Sequence, residues 1–158
     1  MSNRSSRKPS LSERVKAAKP VDDLWPDEIA AAAGPTPPLT ILKQQASLLG
    51  HKTKNLVEAE VYTEVTDFQR LLRHTLFLVA PVVGLSRYPL LSVEHPVTRI
   101  YPVTVKVNTN DPSNSLRELQ ANDEGEFKQH LKAIFAEEPV KRVISNLVAQ
   151  SASKSNVA

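Results

Sequence analysis

Hydrophobic and polar residues alternate with a period of two through the middle of this chain, and helical periodicity flanks that stretch on both sides. Leu56–Thr66 is the clearest case. Val57, Ala59, Val61, Thr63 and Val65 point one way, and Glu58, Glu60, Tyr62 and Glu64 the other, which predicts a half-buried antiparallel strand. A turn at 67–70 leads to a second strand, Leu71–Ala80. Pairing the two symmetrically about a four-residue loop sets Glu64 opposite Arg73 and Thr63 opposite His74. The second strand turns apolar on both faces at Leu76–Ala80, as a central strand covered on both sides does. Arg87–Glu94 is the third strand, closed by His95-Pro96, and Ile100–Val107 the fourth. Pro102 cannot donate to a ladder, which predicts an edge position for this fourth strand. Lys106 would then discourage pairing with another molecule.

Ahead of the strands, Thr36 is placed as an N-cap and Pro37 as a first helical residue. Ile41, Leu42, Gln45, Leu48, Leu49 and Lys52 share a face of that helix, which ends at Gly50 or Asn55. After the strands, 108–115 is rich in turn residues, and Leu116–Gln120 reads as one helical turn. Asp123 followed by Glu126 forms a capping box for a helix carrying Phe127, Leu131, Ile134 and Phe135 on one side. Pro139 starts another, with Val140, Val143, Ile144, Leu147 and Val148 at i, i+3, i+4, i+7 and i+8. The predicted fold is α+β: an N-terminal helix, a four-stranded antiparallel meander, and C-terminal helices packed on the sheet. The wide apolar stripe of the last helix either covers that sheet or pairs with a second copy, so a homo-oligomer is one open outcome.

Charge divides the chain more sharply than its net value of +3 suggests. Residues 1–20 hold six Lys/Arg and one Glu, while 21–35 hold Asp22, Asp23, Asp27 and Glu28 with no base. The remainder is nearly balanced. Residues 1–20 lack the apolar surface needed to offset ordering entropy and are expected to be disordered. The expected organisation is a flexible, charge-segregated arm over 1–35, a single domain over 36–151, and a disordered tail over 152–158. The 158 residues suffice for one domain with a core. No cysteine is present, which excludes disulfides, thiolate catalysis and Cys-ligated metal. The polar, basic start is not a secretory signal. Leu76–Leu85 is too short, and too broken by Pro81 and Gly84, to span a membrane. A soluble, cytoplasmic protein is expected.

Chemistry is sparse. His51, His74, His95 and His130 show no metal-ligand spacing, so no metal and no cofactor is predicted. His74 lies mid-strand on the buried face, and a His74–Glu94 dyad would form if strands two and three paired suitably. The plainer alternative is a core histidine with one hydrogen bond. Glu58, Glu60 and Glu64 on one strand face are better explained by cross-strand ion pairs than by acid–base work, although Tyr62 and Phe77 beside them would make a protein-contact patch. Four glycines and no G-x-S-x-G, Walker A or G-x-G-x-x-G sequence argue against a nucleotide loop or a nucleophile elbow.

The arm offers two recognition elements. Leu24, Trp25 and Ile29 are apolar residues in an acidic segment, the pattern of a short helix that docks in a partner's groove with Trp as anchor. The same pattern also suits a strap folded back on its own domain. Arg4, Arg7, Lys8, Arg14, Lys16 and Lys19 would contact phosphates in nucleic acid or merely solubilise the tail. The leading expectation is a non-enzymatic protein-interaction or accessory module. It has no catalytic residue, and Leu24, Trp25, Ile29 and Tyr62 contact a protein partner. The alternatives are a nucleic-acid accessory protein working through residues 4–19, and a ligand-binding protein or enzyme with a site near His74 and Glu94.

Overall fold

Pro37 and Pro38 open the first helix, α1 (Pro38–Lys52), with extended backbone at Pro37 and no side-chain cap. Pro37 takes the N-cap position and not the first helical one, so Thr36 is not the N-cap. Its backbone is held from outside the helix: its carbonyl accepts from the Tyr101 hydroxyl at 2.9 Å and its N–H donates to Glu124 at 3.2 Å. The helix ends between the two expected stops. The Thr53 hydroxyl accepts from Val57 N at 3.2 Å and lies 3.0 Å from the Leu49 carbonyl and 2.7 Å from that of Val57. Asn55, at φ 63°, turns the chain into the sheet.

The computed structural model describes residues 21–30, 34–66, 68, 70–108 and 117–155. The chain divides into two units between Gly34 and Pro35. In the first, Asp27–Ala30 forms a single 3-10 turn, and Asp23 accepts a hydrogen bond from the Trp25 backbone at 3.0 Å. The second unit is α+β. It holds one antiparallel sheet of five strands: β1 (Glu58–Thr66), β2 (Leu71–Ala80), β3 (Leu85–Pro96), β4 (Val103–Val107) and β5 (Arg117–Ala121), neighbours in space as in sequence. Two helices follow, α2 (Glu124–Phe135) and α3 (Glu138–Ser155).

Two expectations about the sheet are corrected. An N-terminal helix and four strands do not describe it: α1 lies well inside the chain, and Leu116–Gln120, expected to be a helical turn, falls largely in β5. Five residues cannot meet the cost of nucleating a helix, whereas pairing Val105 with Leu119 and Val103 with Ala121 satisfies the backbone and covers two β4 valines. That fifth strand also removes β4 from the edge. Pro102 precedes the strand instead of interrupting it, so its missing N–H costs the ladder nothing, and the edges are β1 and β5.

The β1–β2 register has Glu64 opposite Arg73 and Thr63 opposite His74, as symmetric pairing about the turn implies. Between β2 and β3 the register shifts by one residue twice, between Leu76 and Phe77 and between Leu78 and Ala80. Pro89 sits beside the first shift, where a residue without an N–H is tolerated inside a sheet.

All three helices cover one face. Ile41 and Leu42 of α1, Phe127, Leu131 and Ile134 of α2, and Val140 of α3 join Leu76, Leu78, Val93, Val103, Val105 and Val107 in a single core. The capping box holds, with Glu126 N donating to Asp123 at 2.8 Å and Glu126 accepting from Asn122 N at 2.8 Å. The last helix continues through Ser155, four residues past the expected domain end. Among the described residues no helix is long and apolar enough to cross a membrane.

Candidate functional site

Alternation along β2 and β3 places His74 and Glu94 on opposite faces of the sheet. Glu94 is paired with Arg73 and His74 with Val93. The expected His74–Glu94 dyad therefore does not form. Two separate clusters replace it, one on each face.

On the helix-covered face, His74 meets His95, which lies diagonally across on β3. Both are buried, with Nε2 atoms 2.9 Å apart and ring centroids 5.1 Å apart. The partners of the pair assign its protons. His95 Nδ1 lies 2.9 Å from the Pro96 carbonyl and 2.7 Å from that of Arg99. Carbonyls only accept, so this nitrogen carries a proton and donates. In the neutral pair His95 Nε2 is then an acceptor, His74 Nε2 donates to it, and His74 Nδ1 accepts from the Thr63 hydroxyl at 2.8 Å. Burial, and then the neighbouring His95, push the His74 pKa down to about 4. All four ring nitrogens are engaged. A general base needs a lone pair facing its substrate, and this pair presents none. Its chemistry is that of a clip joining β1, β2, β3 and the turn after β3.

On the opposite face, Glu94 is buried between two bases. Arg73 Nε donates to it at 3.0 Å and Lys106 Nζ lies 3.1 Å away. Arg73 also reaches Glu64 at 3.2 Å, and Lys106 lies 3.9 Å from Glu118. Burial alone would raise the Glu94 pKa, but the hydrogen bonds and charges of Lys106 and Arg73 outweigh it and hold the carboxyl below its ordinary range. Lys106 is thus part of a ladder of alternating charge across the sheet and not the guard of an edge. Toward the other end of the same face, the Arg87 guanidinium lies 5.8 Å from the Tyr62 ring centre and 5.3 Å from that of Phe77, within reach of a cation–π contact. Tyr62 itself is half exposed.

In the first unit Leu24, Trp25 and Ile29 are exposed by 89%, 71% and 64%. Arg4, Arg7, Lys8, Arg14, Lys16 and Lys19 lie outside the described residues. Among the described residues no group of three His, Cys, Asp or Glu side chains is placed to hold a metal ion. Sequence reasoning missed the partnership of His74 with His95. Its one available signal was the shared alternation of His74 and His95 with Val93.

These observations define a small α+β domain with one covered sheet face, one open polar–aromatic face, and a preceding segment that exposes large apolar side chains. No protein-family model, curated protein or solved structure matches the chain.

Proposed function

We propose that this chain is a non-enzymatic protein-interaction module. The observation that carries the reading is the exposure of Leu24, Trp25 and Ile29 within ten residues, amid Asp22, Asp23, Asp27 and Glu28. Single exposed apolar residues are ordinary, whereas three within six residues, one of them a tryptophan, have the composition of an interface anchor. The sheet face supports the same reading. Tyr62, Phe77 and Arg87 form an aromatic–guanidinium patch beside the charge ladder, and Tyr, Phe and Arg are the residues enriched at protein contacts. The engagement of His74, His95 and Glu94 in structural hydrogen bonds supports a binding role over catalysis. The partner expected is a protein with an apolar groove rimmed by basic residues, complementary to the acidic segment.

The test is affinity capture from native lysate with the full chain, the Trp25→Ala and Tyr62→Ala variants, and nuclease-treated controls. A stoichiometric protein that resists nuclease and is lost at least tenfold with Trp25→Ala supports the reading. Capture that vanishes with nuclease favours the basic residues 4–19 and a nucleic-acid role instead. Capture unaffected by both substitutions removes the interaction surface proposed here.

A further inference from the structure

Two alanines face the same gap between α1 and the sheet. Ala46 on the helix and Ala59 on β1 both line a cleft of about 230 Å³ that also reaches the C-terminal helices. Its walls are apolar, with Leu49, Leu78, Leu90, Phe135 and Ile144 among them, and Leu48, 49% exposed, forms an apolar lip. A cavity near 150 Å³ accepts benzene, and pockets for drug-sized ligands run from about 300 to 1,000 Å³. The space therefore suits one ring or a medium alkyl chain.

The polar part of the lining comes from Gln45 and Lys52. Gln45 and Phe135 also line an adjoining groove, where Lys128 and Lys132 stand. Among the described residues no carboxylate lines either space. Lys128 has a distant partner in Glu124, at 3.8 Å. Lys52 and Lys132 have no ion-pair partner among the described residues. An apolar void with a rim of a single sign recognises a molecule with an apolar body and an anionic head.

We propose that this cleft binds a small amphipathic carboxylate, a medium-chain or aryl-alkyl acid. Its apolar body occupies the gap left by Ala46 and Ala59, and its carboxylate lies at Lys52. The site stands apart from the Tyr62, Phe77 and Arg87 patch, which lies on the other face of the sheet, and neither depends on the other.

The experiment is titration of the full chain with octanoate, followed by methyl NMR and calorimetry, with octylammonium as the charge-reversed control. Expected is saturable one-to-one binding that shifts the methyls of Leu49, Leu78 and Ile144, with octylammonium at least tenfold weaker. Ala46→Leu fills the cleft from the helix and should weaken octanoate at least tenfold while thermal unfolding stays cooperative. Ala59→Leu fills it from the strand and serves the same purpose if the helix variant does not fold. Lys52→Ala should weaken binding several-fold. Absence of saturation, equal binding of octylammonium, or affinity unchanged by a folded cleft-filling variant would overturn the proposal.

Discussion

His74 shows how one buried side chain ties stability to pH. Its pKa falls from 6.5 to about 4 in the folded protein, so between these values the unfolded chain binds the extra proton more readily. The neutral clip is thus fully stabilising above pH 6.5 and loses stability as pH falls toward 4, by an amount on the order of 3 kcal/mol. Urea unfolding of the wild type across pH 4–7 should show this slope, and His74→Gln should flatten it. An identical slope in the variant would show that the titrating group lies elsewhere. The proton assignment also gives the pair its direction, from the Thr63 hydroxyl through both rings to the Arg99 carbonyl. That order cannot be read along the chain, because it depends on which carbonyls the loop after β3 turns inward.

At the scale of elements, the open face of the sheet is organised around Glu94. Replacing it with Gln keeps the shape but leaves Arg73 and Lys106 without their shared carboxylate. The expected cost is about 1–3 kcal/mol at neutral pH, because the lost charge is buried while its partners keep some solvent and their outer acids. Since the Glu94 pKa is held below 4.5, its contribution is complete above that pH and disappears as pH drops through the folded value. Wild type and Glu94→Gln should therefore differ in denaturation midpoint at pH 7 and converge in strong acid, a window lying beneath that of His74. A difference that persists unchanged at pH 2 would contradict the assignment. The hairpin that sets Arg73 opposite Glu64 was legible in the sequence because both strands flank a short turn. The third member, Glu94, was not. Each one-residue shift between β2 and β3 exchanges the faces, so counting from the turn cannot tell whether Glu94 or His95 joins His74.

For the molecule as a whole, the division at Gly34 predicts that residues 35–158 fold without the preceding segment. Among the described residues the core is drawn from the second unit, so the thermal midpoint of the truncated protein should match that of the full chain within a few degrees, a shift equivalent to under about 1 kcal/mol. A drop of ten degrees or more would show that residues 1–34 stabilise the domain. Local periodicity determined much of this domain. Helical spacing found the faces of α1, α2 and α3, alternation found β1 to β4, and the Asp123–Glu126 spacing found a helix start, because each signal is carried by residues within a few positions of one another. Tertiary structure alone decided the rest. β5 is too short to declare itself and exists by pairing with β4, which thereby became an interior strand. The His74–His95 clip depends on register across a doubly shifted pair of strands. The Ala46–Ala59 gap needs a helix and a strand laid together, since a small side chain marks a cavity only when nothing opposite fills it.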